Sequence, residues 1–492
     1  MPAASASPAA STDAHYAALL ARDARFDGRL YVGVTSTRVY CRPVCRVRTP
    51  LQRNCRFFSN AASAEAAGFR PCLRCRPELA PGLSLMDSPQ ALADEAARLI
   101  DLAVSEGRDV YLPAVAERLG VTDRHLRRVF QARHGVTPMD WLTTHRLLLA
   151  KQLLTDTALP ITQVAHASGY ASLRRFNAAF AERYRMSPSA LRSERDDGDV
   201  AAPSAEAITV RLAYRPPYDV AGVLRFFRDR AIPGIEQVEG LQVRRTLAWR
   251  HGEAELQGVV SARFVPERHE VHAAVSPSLG PALPALLQRL RQALDLDADP
   301  QAIDSALDEL PGPPGVRISG GLDAFEIAAR VVLGQQVTVA AARTLTRRLV
   351  DAYGRPLDTG VPGLERLFPS AAKIAAADPE TIGKLGIVRQ RVKALQALAA
   401  ALAEGRLVLH RGAPLAATMA ALRELPGIGE WSAQLIAMRA LAWPDAFPAT
   451  DIGVLNALGT RDVQAVLGRA EAWRPWRAYA VMRLWQTLET GT

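Results

Sequence analysis

The chain has 492 residues, 49% of them hydrophobic and 22% charged, which is the balance of a soluble globular protein. Its length implies about three or four domains, and no run approaches the ~20 apolar residues that cross a bilayer, so no membrane partner is expected. The formal net charge of +10 rests on 60 basic residues, of which four are lysine, and a basic balance of this kind favours a polyanionic partner.

The first segment, "MPAASASPAASTDAH", has neither a basic stretch nor an apolar core. Residues 1–12 therefore read as a disordered tail and not as a signal peptide, and the chain is expected in the cytoplasm, at the nucleoid. In that compartment disulfides are rare, and clustered cysteines bind metal or do chemistry. All five cysteines fall between positions 41 and 75.

Residues 13–80 form the first predicted unit, small and α+β, opening on the strand-like "RLYVGVTSTRVY". Its cysteines follow C-x3-C, then 26 residues, then C-x2-C: Cys41, Cys45, Cys72 and Cys75. Two short turns that each present two thiolates suit one tetrahedral zinc ion. A purely structural zinc knuckle and a disulfide pair are the competing readings. Cys55 is the odd cysteine, expected as a small buried hydrophobe. Residues 38–78 hold nine arginines against Glu65 and Glu78, so the cysteines lie in a strongly basic segment.

"YCRPVCR", "AGFRPCLRC" and "RPE" closely resemble the N-terminal domain of the Ada methylation-response proteins. That resemblance implies that Cys41 is both a zinc ligand and a methyl acceptor, with Cys45, Cys72 and Cys75 as the other ligands. The chemistry is coherent. Zinc with four thiolates carries a formal charge of −2, which keeps sulfur nucleophilic at neutral pH. A methylphosphotriester has lost its charge and admits an anionic nucleophile. Methylation then removes one negative charge, worth on the order of 1–3 kcal/mol of DNA repulsion, enough for a binding switch.

"LAPGLSLMDSPQ" (79–90) reads as a linker. Residues 91–193 are periodic amphipathic helix throughout. "LPAVAERLGVTDRHLRRVFQARHG" and "ITQVAHASGYASLRRFNAAFAERY" repeat one pattern of helix, tight turn and helix, with Gly120 at the first turn and Thr122 or Asp123 as the cap. The second copy, continuing into Tyr184, Ser187 and Pro188, resembles the AraC-type DNA-binding domain, which implies an all-α double helix-turn-helix. The second helix of each copy would enter a major groove. Arg124, His125, Arg127 and Arg128 are the base-edge candidates of the first, and Ser172, Arg174, Arg175 and Asn177 those of the second. Leu126, Phe130, Phe176 and Phe180 are expected in the core. Promoter DNA and RNA polymerase follow as partners of an activator.

Residues 194–206 read as a second linker. Residues 207–290 alternate strand-like runs, "ITVRLAY" and "VHAAVS", around the helix "VAGVLRFFRDRA", a small mixed α/β lobe. Residues 291–492 are helical, and "LRELPGIGEWSAQLIAMRAL" contains a hairpin. Gly427 and Gly429 free backbone N–H groups at the start of the following helix to meet a DNA phosphate, with a monovalent cation as a possible companion.

The hairpin followed by "FPATDIGVLNAL" resembles the helix-hairpin-helix DNA glycosylases, and "WRPWRAYAVMRLWQTLET" sharpens this to the AlkA-type 3-methyladenine glycosylases. The resemblance places the catalytic acid on Asp451, which reads equally as the N-cap of the next helix. An N-alkylated purine is already a good leaving group, so one carboxylate beside the oxocarbenium-like sugar suffices. Superfamily members that also cut the backbone carry a lysine where this chain has Trp431, so base excision without strand cleavage is expected. The flipped base would stack on Trp431 and Trp485. Leu435 and Gln486 replace the family's pocket tyrosines, and Gln336 replaces its leucine wedge. Trp443, Trp473 and Trp476 are expected in the core.

These parts imply an alkylation sensor and activator fused to an alkylbase glycosylase, working as a monomer on double-stranded DNA. No cysteine follows Cys75, so an O6-alkylguanine methyltransferase is not expected. A repair enzyme that uses its first two modules only as DNA tethers is the alternative. A regulator with a decayed glycosylase is a second, opposed by Asp451 and the hairpin.

Overall fold

The computed structural model describes residues 15–17, 19–22, 30–45, 47–58, 61–75, 77, 89–105, 110–157, 159–193, 207–252, 254–410 and 413–490. The expected tail (1–12), the expected linker 194–206 and all of 79–90 except 89 and 90 lie outside the described residues. The fold is multidomain, with a small Cys-rich α+β unit, helix-turn-helix elements, a mixed-sheet lobe and a helical hairpin-containing domain. Spatially it resolves into two units, residues 1–101 with 110–143, and residues 102–109 with 144–492. Among the described residues no helix is long and apolar enough to cross a membrane.

In the first unit, the strand-like run becomes a hairpin, β1 (Tyr31–Val34) and β2 (Val39–Cys41), within a four-stranded sheet ordered β3-β1-β2-β4. β3 is Cys55–Phe58 and β4 is Arg70–Pro71. The β2–β4 pairing is parallel, with Tyr40 opposite Pro71. The chain between them crosses over through the helix Ala61–Ala66. Tyr40, Ala64 and Phe69 form the small apolar centre. Gly33 admits this centre, because a Cβ there would lie 2.8 Å from Phe58 and 2.9 Å from Phe69.

The same unit holds the helices Leu112–Arg118 and Asp123–His134. Thr122 is the cap, its hydroxyl accepting from the His125 backbone N–H at 3.2 Å. Leu126 and Phe130 are buried, as expected. In the second unit, Ile161–Ala167 and Leu173–Tyr184 repeat the arrangement, with Phe176 and Phe180 buried.

The α/β lobe is a five-stranded antiparallel sheet ordered β5-β9-β8-β7-β6. β5 (Ile208–Ala213) and β9 (Glu270–Val275) are the two expected strands. The long hairpin β7 (Gln242–His251) and β8 (Ala254–Val265), with β6 (Glu236–Glu239), completes the sheet. Alternate residues Val260, Ala262 and Phe264 of β8 and Val271, Ala273 and Val275 of β9 are buried, the period of a sheet with one covered face.

The helical domain carries the largest apolar core. Trp473 is fully buried and donates to Glu309 at 2.6 Å, while Trp443 and Trp476 pack against that core half-buried. A buried ionic cluster ties sheet to helices. Arg245 of β7 pairs with Glu326 and with Glu236 at 3.0 Å, and Arg330 reaches Glu236 at 2.7 Å and Glu326 at 2.6 Å.

Candidate functional site

Cys41 ends β2 and Cys72 follows β4, so the parallel register brings the two cysteine pairs side by side. The Cys72 N–H donates to the Tyr40 carbonyl at 3.0 Å, and the turn after β2 closes through Cys45 N–H to Arg42 carbonyl at 3.1 Å. The sulfurs of Cys41, Cys45, Cys72 and Cys75 all lie within 4.8 Å of one another, and all four residues are buried.

The thiols alone cannot make this cluster neutral and comfortable. Hydrogen bonding with Cys41 and Cys75 pulls the Cys45 thiol below its ordinary value, while pairing with Cys45 and Cys75 pushes the Cys41 thiol up. One anion is shared among sulfurs that burial and mutual repulsion keep from ionising together. A divalent ion at their centre removes that conflict, and four sulfur donors are the set that zinc prefers. The donor set therefore fits one zinc ion.

Arg42 is a residue the sequence reading passed over. It is fully buried, its backbone N–H donates to Cys75 Sγ at 3.5 Å, and its guanidinium donates to the Cys75 carbonyl at 3.3 Å. Cys45 also accepts a backbone N–H, from Val47. Among the described residues no backbone donor to Cys41 sulfur is found. Cys55 is outside the cluster, half-buried, donating to the Leu51 carbonyl.

Of the base-reading candidates, Arg124, Arg127 and Arg128 are exposed on one helix and Arg174, Arg175 and Asn177 on the other. Arg127 is held by Asp123 at 2.7 Å, and Arg128 meets His125 at 3.1 Å. The Ser172 hydroxyl caps its helix, accepting from the Arg175 backbone N–H at 3.3 Å. Ser172 thus caps the helix Leu173–Tyr184, a job its place before Leu173 makes natural.

The hairpin runs from the helix Leu415–Glu424 to the helix Glu430–Ala440. Its two glycines differ. Gly427 has φ +78° and sits so close to Ala394 that a Cβ would lie 2.9 Å from that methyl. Gly429 is extended, with nothing within 4 Å of a Cβ. Gly429 therefore leaves open space at the helix N-terminus, where a phosphate can reach backbone N–H groups.

Asp451 is the N-cap of Ile452–Ala457, with Oδ1 accepting from the Val454 N–H at 3.1 Å. The anticipated N-cap role is thus observed. Its Oδ2 accepts from the Trp431 indole at 2.8 Å and its Oδ1 from the Trp485 indole at 2.9 Å. The two tryptophans expected as stacking faces thus also aim their N–H groups at the acid. Gly453 permits this, since a Cβ there would lie 2.9 Å from Trp485 Cδ1 and 3.0 Å from Asp451 Oδ1. The loop before Asp451 is pinned as well. Phe447 N–H donates to Gln434 at 2.9 Å, and the buried Arg477 donates to Asp445 at 2.7 Å.

The other two pocket candidates make contacts of their own. Leu435 is buried within the helical core. Gln486 donates to Asp219 at 2.8 Å, and Asp219 in turn caps the helix Val220–Arg230. Gln486 therefore links the C-terminal helix to the α/β lobe, and the signal that could have found it is the Asp219 cap. Gln336 is exposed at φ +54°. Its neighbour Gln335 anchors that loop to the hairpin, donating to the Gly427 carbonyl at 2.8 Å and to Ser432 at 2.9 Å.

Family models match four stretches of the chain: the metal binding domain of Ada over 14–78, a helix-turn-helix domain over 115–194, the AlkA N-terminal domain over 209–323, and the HhH-GPD superfamily base excision DNA repair protein over 329–462. The chain is 39% identical to the probable bifunctional transcriptional activator/DNA repair enzyme AlkA of Mycobacterium tuberculosis, across 96% of each. It is 35% identical to DNA-3-methyladenine glycosylase 2 of Escherichia coli, over 56% of this chain and 96% of that one. Its first part is 35% identical to the bifunctional transcriptional activator/DNA repair enzyme Ada of Escherichia coli, over 32% of this chain and 42% of that one. With four matching modules in one order and a relative that spans almost its whole length, the chain belongs to the family of bifunctional transcriptional activator/DNA repair enzymes that join an Ada-type metal-binding domain and a helix-turn-helix to an AlkA-type glycosylase.

Proposed function

We propose that this protein senses DNA alkylation with one half and removes alkylated bases with the other. The observation that carries the repair activity is the carboxylate of Asp451, buried and held by two indole N–H groups. Four buried sulfurs within 4.8 Å of one another support the sensing activity.

In the repair half, an alkylated purine such as 3-methyladenine is extruded into the pocket beside Trp431 and Trp485. The N-glycosidic bond breaks with its electron pair leaving on the base. The sugar carbon becomes oxocarbenium-like, and the Asp451 carboxylate stabilises it across a short gap. Water adds to that carbon and gives up its proton, with Asp451 as the nearest acceptor. Trp431 occupies the place of a Schiff-base lysine and commits its N–H to Asp451, so the reaction ends at the abasic site with the strand intact. Backbone N–H groups after Gly429 hold a phosphate, together with a monovalent cation.

In the sensing half, Cys41, Cys45, Cys72 and Cys75 would hold one zinc ion, and its charge would keep the four sulfurs deprotonated at neutral pH. The Cys41 sulfur attacks the methyl carbon of a methylphosphotriester. An S–C bond forms, the C–O bond breaks, and the electron pair returns to the phosphate as an ordinary diester anion. Cys41 is left as a thioether. The lost negative charge strengthens promoter binding, and the two helix-turn-helix units then bring the chain to RNA polymerase as a monomer. Domain limits of 13–80, 91–193, 207–290 and 291–492 accompany this reading.

Two substitutions test it. Asp451→Asn abolishes release of 3-methyladenine from methylated DNA while sparing induction of a methylation-responsive reporter. Cys41→Ala does the reverse, and it removes a +14 Da adduct from the first module after exposure to methylated DNA.

A further inference from the structure

The ionic cluster between the sheet and the helices leaves one charge over. Glu236 and Glu326 are both taken by Arg245 and Arg330. Arg439, near the end of the hairpin's second helix, lies half-buried beside that group. Its Nε donates to the Ser319 carbonyl at 3.1 Å, and among the described residues its terminal nitrogens meet neither a carboxylate nor any other acceptor. The guanidinium instead sits 4.8 Å from the centre of the Phe226 ring, and Arg230 sits 4.0 Å from the same ring. Burial, and then repulsion from Arg230 and Arg330, pull the Arg439 guanidinium down to about 9. A ring face is a weaker partner than a carboxylate, and a buried cation without an anion is costly.

Two more groups in the same cluster are unmet. Ser319 is 1% exposed, and its hydroxyl has no hydrogen-bond partner. The Nε of Arg330 is buried without a partner as well. Buried polar groups are normally paired, so three unmet groups in one cluster ask for a shared ligand. A guanidinium only donates, and a hydroxyl donates as readily as it accepts. The ligand is therefore an acceptor. Water would satisfy the donors and leave the charge unbalanced, whereas an anion answers both.

We infer that Arg439, Ser319 and Arg330 hold a small monovalent anion, chloride in the cell. One negative charge balances the one unpaired guanidinium. A doubly charged phosphate would overshoot it and lose far more hydration on burial. The site draws on three parts of the fold. Phe226 belongs to the helix Val220–Arg230 of the α/β lobe, and Arg439 to the helix that carries Trp431. Ser319 belongs to a segment pressed against that helix, since a Cβ on Gly320 would lie 3.1 Å from the Arg439 carbonyl. The anion thus fastens the lobe to the helix whose first turn holds Asp451, whether or not this half excises bases.

The test follows the Tm of the full-length chain in sodium bromide, with sodium gluconate holding the ionic strength constant. Each tenfold rise in bromide above its Kd is expected to raise the Tm of the glycosylase half by roughly 3–6 °C. Arg439→Met keeps an unbranched stem over Phe226 and removes the charge, and its Tm no longer follows bromide. Ser319→Ala removes one hydroxyl and shifts the response to higher bromide. Anomalous diffraction from bromide-soaked crystals places the ion within hydrogen-bonding distance of Arg439 and Ser319. A parent Tm that ignores bromide overturns the site. So does a bromide response that both variants share unchanged with the parent, or bromide found only at other arginines.

Discussion

The Trp485 indole donates to Asp451 Oδ1 at 2.9 Å, from a helix near the C-terminus to the cap of another helix. With Trp431 on Oδ2, both oxygens of the acid are engaged by donors that cannot exchange roles with water. The carboxylate plane is thereby set before any substrate arrives, which is what electrostatic preorganisation requires.

Trp485→Phe keeps an aromatic face and removes the donor. A hydrogen bond to a charged group is worth about 1.5–3 kcal/mol, so kcat is expected to fall roughly ten- to a hundredfold, with KM little changed. Single-turnover base release measures this. A loss confined to KM would show that the ring only binds.

Gly453→Ala places a methyl where Trp485 and Asp451 now touch. The methyl fits only if the ring shifts, so stability is expected to fall by the ~1–3 kcal/mol that overpacking costs. Activity is expected to drop at least tenfold because Trp485 must tilt away. Full activity in this variant would mean that the indole contact is dispensable.

Cys55→Ser is expected to leave one zinc per chain and full methyl uptake on Cys41, since the Cys55 side chain lies outside the cluster and donates to the Leu51 carbonyl. Cys45→Ala removes a ligand and is expected to lose zinc and methyl uptake together. Chelation of the parent leaves four buried thiols without their cation and unfolds the module, because the metal's binding energy is its folding energy. Zinc analysis and circular dichroism report all three.

Glu326→Gln breaks the ionic cluster under the sheet. Burial pushes the Glu326 carboxyl up, but Arg245 and Arg330 outweigh this and hold it below its ordinary value. A depressed carboxyl contributes its stability above the ordinary glutamate value, about pH 4.3. That contribution is lost as pH falls through the lower folded-state value. Near neutrality the substitution is expected to cost about 3 kcal/mol, since it leaves two buried guanidiniums sharing the single carboxylate of Glu236. The Tm gap between parent and variant should narrow on acidification. A gap that widens contradicts the assignment.

Much of this protein lies open in its sequence, for a physical reason. The cysteine spacing, the repeated turn-helix pattern, the glycine hairpin and the capping aspartate are local: a few consecutive residues carry both the geometry and the chemistry. What the sequence by itself determined was therefore the family and the four clustered cysteines, and it singled out Asp451 as a helix cap. Side-chain direction is a different matter, because it is decided by neighbours from distant parts of the chain. Gln486 faces Asp219 across 267 positions of sequence. Leu435 turns into the core, and Ser172 is spent on its own helix. Only the tertiary structure could show that two indoles converge on one carboxylate, or that buried Arg42 braces Cys75 while Cys41 receives no backbone donor among the described residues, since each depends on packing that no short segment encodes.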